Sequence, residues 1–444
     1  MVRVIPFKAY RYDKTKVQDL AQVVTPPYDV MKGEKVDEFQ GRSEHSIAWI
    51  IKNKPKESDT SQNNQYTRAG SLLNKWIDNC ILVPDDEESF YVYGQDFKAN
   101  GKDLFRFGFI GLIKLEEFAK DVQASKSVFK GVLQHEETFP KDIQDRLNLS
   151  RNCMAQFGLI FVIYPVHKGD VDGVLEKYMK NEPTTDITDS EGIRHRLWRI
   201  DNPEDTGMIT KHMENKYVII ADGHHRYKTA LALSKENPDL ETAKYRMLAF
   251  VNMSNPGLVI LPTHRRIQNL EAFSKEKLLE QLHAHFKVEE FKSKDSMFEL
   301  MNRQFEEGNH AFGLFMDDGK FYTLILKDKQ IMNDLLPDKS EELRKLDVAI
   351  LHTLILDKTL GIDKKKLAAG SIKGGGYVSY IKGIGDAVDE SIRKVEGDAQ
   401  AVFFMNPTRI GEVEAVSRNF EVMPQKSTFF FPKIYTGFTI NKLK

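Results

Sequence analysis

In this 444-residue chain the densest chemistry sits at Asp222-Gly223-His224-His225-Arg226, after the apolar run Tyr217–Ile220 and before Ala230, Leu231 and Leu233 at helical spacing. The pattern predicts a strand, a tight turn and a helix. Such a turn leaves free backbone N–H groups at a helix N-terminus, whose partial positive charge favours an anion, and Gly223 lets a phosphate come close to the backbone. His224, His225 and Arg226 add side-chain donors, Arg226 as a planar fork matched to phosphate oxygens. Asp222 ends the strand, where it would cap the helix or hold a divalent cation. Two histidines and an arginine are poor choices for the first turn on stability grounds alone, because the helix dipole disfavours cations there.

Phosphoryl transfer also needs a carboxylate to orient or deprotonate the attacking hydroxyl, and the sequence offers several. Thr25-Pro26-Pro27-Tyr28-Asp29 is a rigid turn that would hold Tyr28 and Asp29 in a fixed position. The stretch His135-Glu136-Glu137-Thr138, with Lys141, Asp145 and Arg146 close behind, is charge-dense. There His135 and Glu136 suit substrate or metal, and Lys141 and Arg146 suit phosphate. Thr263-His264-Arg265-Arg266 follows an apolar run and could place His264 and Arg265 at a strand end. Near the C-terminus, Gln425-Lys426-Ser427-Thr428 interrupts an apolar, aromatic segment with four hydrogen-bonding side chains, Lys426 being a partner for phosphate or carboxylate. Asn406-Pro407-Thr408 reads as turn chemistry at a strand end, and Gly374-Gly375-Gly376 lacks the following Lys-Ser/Thr of a phosphate loop and reads as a flexible turn. No His and Cys spacing fits zinc, and no Ser/His/Asp elbow is present.

These groups must be held by a mixed architecture. Short β-like runs at Phe90–Tyr93, Phe105–Ile113, Leu159–Tyr164, Tyr217–Ile220 and Leu248–Asn252 alternate with helical stretches at Tyr66–Asn79, Tyr227–Ser234, Ser274–His285 and Glu341–Thr359. The reading is α/β, or mixed α+β, with Lys54–Tyr66 as a polar linker. A change of texture near residues 267–275 divides the chain into 1–268 and 269–444, the last strands of the second part returning to the site. Lys and Arg number 64 against 65 Asp and Glu, a net charge of −1, so the basic excess that drives binding to a phosphate backbone is missing and nucleic acid is not an expected partner. The two cysteines, Cys80 and Cys153, form no disulfide framework and read as buried thiols in a reducing compartment. MVRVIPFKAYRYDK has no apolar core of a signal peptide, and the longest apolar stretch, residues 157–166, is about half a membrane span. A cytoplasmic protein without membrane attachment is expected.

The segment 223–230 resembles the G-x-H-R-x-x-A signature of the ParB/sulfiredoxin superfamily, with Gly223, His225, Arg226 and, one position late, Ala230. The whole chain resembles the bacterial and archaeal family known as domain of unknown function 1015. The likeness rests on Pro6-Phe7, TPPYD (Thr25–Asp29), LQHEET (Leu133–Thr138), Asp145-Arg146-Leu147, HRLWRI (His195–Ile200), GLVILPTHR (Gly257–Arg265), FFMNPT (Phe403–Thr408) and MPQKSTFFFPK (Met423–Lys433).

The resemblance implies a ParB/sulfiredoxin-like nucleotide-binding core with a second C-terminal α/β region. Superfamily members include chromosome-partition CTPases, sulfiredoxins and kinases of free serine. Sulfiredoxin chemistry needs a cysteine where this chain has His224, and the partition proteins need DNA-binding helices and a basic surface. The small-molecule kinase branch is left, with free L-serine as the leading substrate and ATP or ADP with Mg²⁺ as donor. On that reading Asp29, Glu136, His224 and His225 are catalytic. Asp222, Gly223, His224, His225, Arg226, Thr229, Lys141 and Arg146 hold nucleotide or phosphate. Tyr28, His135, His264, Arg265, Lys426, Ser427 and Thr428 hold substrate, and Asp222 and Glu136 the metal. A phosphoserine or nucleotide phosphohydrolase and a non-catalytic, nucleotide-sensing module are the alternatives.

Overall fold

The apolar runs of the sequence become strands of one large mixed sheet. The computed structural model describes residues 2–118, 131–136, 140–165, 171–214, 216–369, 376–383, 385–397 and 399–444. Its contacts divide the chain into two units. The first comprises 1–134, 138–259 and 432–444, the second 135–137 and 260–431. The division thus falls at Val259/Ile260, and the last residues belong to the first unit.

The sheet of the first unit has nine of the described strands: β1 (Val4–Ile5), β2 (Phe90–Ala99), β3 (Lys102–Lys114), β4 (Gly131–Leu133), β5 (Ile160–Tyr164), β6 (Thr185–Thr188), β7 (Arg194–Ile200), β8 (Tyr217–Asp222) and β9 (Tyr245–Asn252). Their order is β4-β8-β5-β9-β3-β2-β7-β6, with β1 paired to β3. β8 runs parallel to β4, and β9 parallel to β5; the other pairings are antiparallel. Val218, Ile219 and Ile220 of β8 are fully buried, as a strand inside a sheet covered on both faces requires. Helices α1 (Gln65–Asp78), α2 (Pro140–Cys153), α3 (Val171–Met179), α4 (Pro203–Met213) and α5 (His224–Glu236) accompany this sheet. The core gathers Phe90, Phe109, Tyr164, Trp198, Tyr227 and Phe250. Phe109 and Phe250 stack with ring centroids 4.6 Å apart, a packing that adds to plain area burial.

The second unit is built on an antiparallel sheet of β10 (Thr263–Ile267), β11 (Phe286–Phe291), β12 (Ala311–Met316), β13 (Phe321–Leu326), β14 (Val378–Lys382) and β15 (Ala401–Phe404), in the order β11-β13-β12-β15-β10-β14. Helices α6 (Lys275–His285) and α7 (Lys294–Glu306) start at Ser274 and Ser293, whose side chains accept backbone N–H groups of the first turn. The single helix expected over Glu341–Thr359 is instead three pieces: Glu341–Arg344, Asp347–Ile350 and a π-helical turn region Leu351–Thr359. Leu346, extended at φ −71°, ψ 131°, breaks the first from the second while staying buried.

One expectation about the thiols is corrected. Cys153 is buried, but Cys80 is exposed. It follows α1 with φ +52°, the left-handed conformation common just past a helix C-terminus. Among the described residues no helix is long and apolar enough to cross a membrane.

Candidate functional site

β8 ends at Asp222, and α5 begins two residues later, at His224. Gly223 between them has φ +103°, and a Cβ placed there would lie 2.9 Å from Nε of Arg226 and 3.0 Å from its Cζ and Nη2. Glycine is therefore required twice, by backbone conformation and by the guanidinium packed against it. That guanidinium donates from Nη2 to Asp222 Oδ2 and from Nη1 to the Leu159 carbonyl. Lys433 approaches the same carboxylate from the C-terminal segment, its Nζ donating to Asp222 Oδ1 at 2.6 Å. Burial would raise the pKa of Asp222, but attraction to Lys433, Arg226 and His224 outweighs it and holds the carboxyl well below the usual carboxylate range. Asp222 is thus ionised, with a cation on each oxygen. His224 is buried and His225 half-exposed at the start of α5.

The segment that delivers Lys433 is itself pinned. Arg106, buried and 4.8 Å from the centre of the Phe161 ring, donates to the Pro432 carbonyl at 2.5 Å and to Gln95 Oε1. Gln95 in turn donates to the Lys433 carbonyl at 3.0 Å. Thr436 and Thr25 exchange backbone hydrogen bonds of 2.7 and 3.0 Å, which ties the rigid turn Thr25–Asp29 to the same stretch.

One face of α5 continues as the wall of a cleft. Arg226, Thr229, Ala230 and Leu233 stand at helical spacing there, opposite Arg146, Leu149 and Ser150 of α2, with Tyr28 and Phe157 alongside. Four residues singled out in the sequence, Tyr28, Arg146, Arg226 and Thr229, therefore meet in one place. The Arg146 guanidinium lies 4.3 Å from the centre of the Tyr28 ring and donates to the Ile51 carbonyl at 2.9 Å and, through Nε, to Asp145 Oδ2 at 2.8 Å. Asp29 is exposed beside Tyr28. The side chain of Lys141 and most of the glycine run at 374–376 lie outside the described residues.

The second unit gathers the other group. Glu136 Oε1 accepts the Lys426 N–H at 3.0 Å, and Arg265 Nη2 donates to the Lys426 carbonyl at 3.0 Å. Lys426 sits between these two charged groups at φ +58°, a conformation that costs a non-glycine residue energy unless its surroundings fix it. Nε2 of His135 is 2.8 Å from Thr428 Oγ1, Ser427 Oγ donates to the Pro424 carbonyl, and Thr408 Oγ1 donates to the Ser427 carbonyl at 2.8 Å. His264 is buried, and its Nδ1 accepts the Met405 N–H at 3.0 Å, so the neutral ring carries its proton on Nε2. Burial, reinforced by the Arg265 charge, pushes its pKa down to about 3. Arg265 is also buried, its Nη2 3.5 Å from Nε2 of His352 on the π-helical region.

Lys433, Arg106, Arg246 and His352 are the residues that sequence reasoning passed over. Lys433 and Arg246 carried a readable signal, a lone cation inside FFFPKIY and inside YRMLAFVN. Among the described residues no group of three or more His, Cys, Asp and Glu could hold a metal ion.

The model of the family described as "Protein of unknown function (DUF1015)" matches residues 4–349. The chain belongs to this family. The matched span of this DUF1015 protein holds both the Asp222–Arg226 turn and the His135–Glu136 and His264–Arg265 pairs, while Lys426–Thr428 and Lys433 lie beyond it. No curated protein matches the sequence. Solved structures similar to it include a conserved hypothetical protein from Pyrococcus furiosus, 15% identical with a TM-score of 0.31 over 68% of this chain and 88% of that one. A free serine kinase in complex with AMP is 13% identical, with a TM-score of 0.35 over 74% of this chain and 98% of that one. SbnI with C-terminal truncation, from Staphylococcus aureus, is 10% identical, with a TM-score of 0.34 over 70% of this chain and 83% of that one.

Proposed function

We propose that this DUF1015 protein is a nucleotide-dependent phosphotransferase that acts on a small hydroxyl metabolite, with free L-serine as the leading acceptor and O-phosphoserine as product. The observation that carries the reading is the Asp222–Arg226 turn. Its one carboxylate is neutralised by Arg226 and Lys433, and its glycine opens the first turn of α5 at positive φ. The donors assigned to the ligand are the backbone N–H groups of the first turn of α5 and the side chains of His224 and His225, a set that suits a polyphosphate.

In this reading the acceptor oxygen attacks the terminal phosphorus of ATP or ADP, the bond to the bridging oxygen breaks, and the shortened nucleotide leaves. The hydroxyl proton passes to Asp29 or Glu136, while His224 and His225 stabilise charge on the transferred group. Tyr28, His135, His264, Arg265, Lys426, Ser427 and Thr428 are the residues assigned to the acceptor, and Arg146, Thr229 and Lys141 to the nucleotide. Of the two carboxylates assigned to the metal, Asp222 and Glu136, the first has both oxygens engaged, so Mg²⁺ would come bound to the nucleotide and would neutralise phosphate charge.

The test is a thermal-shift series on the purified protein with Mg²⁺ and ATP, ADP, CTP or GTP, each with and without L-serine or O-phosphoserine. A nucleotide at 100 times its Kd should add about 2.7 kcal/mol, and the shift should grow with the second substrate. Mass spectrometry should then find O-phosphoserine formed from serine and the stabilising nucleotide. No stabilisation by any nucleotide overturns the proposal, and phosphate release that ignores serine replaces it with a phosphohydrolase.

A further inference from the structure

Arg246 lies on β9 with only 5% of its surface exposed, inside the run Tyr245–Asn252 whose other side chains are nearly all apolar. It lines the cleft between α2 and α5. One of its nitrogens, Nη2, donates to the Gly158 carbonyl. The other two, Nε and Nη1, are shielded from bulk water and have no hydrogen-bond partner among the described residues. The neighbouring carbonyl, of Leu159, is taken by Arg226, so two guanidinium groups flank one turn of chain. Arg226 has Asp222 as its counter-ion, whereas Arg246 has no salt bridge among the described residues. Burial, reinforced by repulsion from Arg226, lowers its pKa to about 9.

A buried cation with unmet donors and a like-charged neighbour is destabilising by itself. Proteins keep such a group where an anion completes it. We infer that the cleft on the flank of α5 is a receptor for the phosphate of a small metabolite, with Arg246 as the central ligand. Arg246 offers Nε–H and Nη1–H, a fork that matches two oxygens of one phosphate. Arg226 and Arg146 line the same cleft and add positive potential there. Leu149, Phe157 and Leu233 on the cleft wall suit an apolar or planar remainder of the ligand. The site shares Arg226 and Arg146 with the residues assigned to the nucleotide, but it centres on Arg246, which that assignment does not use, and so stands without the phosphotransferase reading.

The experiment compares wild type, Arg246→Met and Arg246→Lys by thermal unfolding and calorimetric titration with inorganic phosphate, with acetate and NaCl at matched ionic strength as the other arms. Wild type should be stabilised by phosphate beyond the NaCl arm. Arg246→Met should melt above wild type in phosphate-free buffer, because the unpaired charge is gone, and should lose the phosphate response. Arg246→Lys should bind phosphate at least tenfold more weakly, since an ammonium cannot supply the fork. A lower melting temperature for Arg246→Met with the phosphate response intact would show a purely structural arginine and overturn the inference. So would equal phosphate affinity in Arg246→Lys, which also decides the matter if Arg246→Met does not fold. Stronger stabilisation by acetate than by phosphate would overturn the phosphate assignment. A phosphate response without any nucleotide response would leave this site standing and remove the kinase.

Discussion

The two units hold their candidate residues in opposite ways. At the Asp222–Arg226 turn, charged side chains bind one another: Arg226 and Lys433 close on Asp222. At the Lys426 loop, charged side chains bind backbone: Glu136 takes the N–H and Arg265 the carbonyl of one residue. The first arrangement neutralises an acid at the start of the helix that carries the two histidines proposed to meet a ligand. The second fixes a loop at φ +58° and leaves the Lys426 side chain itself exposed. Side chains that look alike in sequence therefore divide into those that present chemistry and those that position it.

The largest effect tests that division in the first unit. His225→Ala should lower phosphoryl-transfer turnover by orders of magnitude while changing stability by no more than about 1–2 kcal/mol. Steady-state kinetics and thermal unfolding of the same preparation check both parts, and a normal rate would remove His225 from the chemistry. Arg226→Met should act the other way, as a structural loss. It strands the Leu159 carbonyl and removes one of the two cations hydrogen-bonded to Asp222, for about 3 kcal/mol of destabilisation read by urea unfolding.

Gly223→Ala should cost about 2–3 kcal/mol, since it combines a positive φ with a Cβ crowded against Arg226. Denaturant unfolding measures it, and a cost below about 0.5 kcal/mol would mean that the guanidinium can move aside freely. In the second unit Glu136→Ala should cost less, about 1–2 kcal/mol, the loss of one charge-assisted hydrogen bond to backbone. Amide exchange at residues 425–428 should accelerate there and nowhere in the first unit.

How much of this was readable beforehand follows from which forces act locally. Strand, turn and helix at 217–236 were legible because apolar runs, a glycine and helical spacing sit next to one another in the chain. The meeting of Tyr28, Arg146, Arg226 and Thr229 was legible only as a set of candidates, since α2 and α5 face each other through tertiary packing. Lys433 was not assigned, because its partner is 211 residues away in sequence and nothing local marks an ion pair. The break at Leu346 escaped notice for a related reason: Leu343, Leu346, Ile350 and Leu354 keep a helical period although Leu346 is extended. Cys80 was read as buried because cysteine usually is, whereas a left-handed residue at a helix end turned it outward.

Acid separates the two units most finely. In the second, His264 and His352 are buried and neutral, burial pushing His264 down to about 3 and His352 well below its ordinary value, with Arg265 adding to both. In the first, burial lowers the pKa of His195, and Asp189, 3.1 Å from its Nε2, opposes that effect. A histidine whose pKa is lower in the folded state binds its proton more readily when unfolded. Its contribution is therefore complete above the unfolded pKa of about 6.5 and is lost as pH falls toward the folded value. Each such group gives a slope of up to about 1.4 kcal/mol per pH unit. Asp172 in the first unit and Glu412 in the second, both partly buried, are raised by burial and oppose the loss, while Asp222, with its lowered pKa, stays ionised until pH falls below the ordinary aspartate range. Between about pH 6.5 and 5 the second unit should lose stability faster than the first, because Arg265 reinforces burial at His264 and His352 whereas Asp189 opposes it at His195. Trp49, Trp76 and Trp198, the three tryptophans of the chain, all belong to the first unit, so their fluorescence follows that unit alone while hydrogen exchange follows the other. His264→Gln should reduce the difference by about 1.4 kcal/mol per pH unit, and equal slopes in the wild-type units would show that His264 and His352 reach solvent before either unit unfolds.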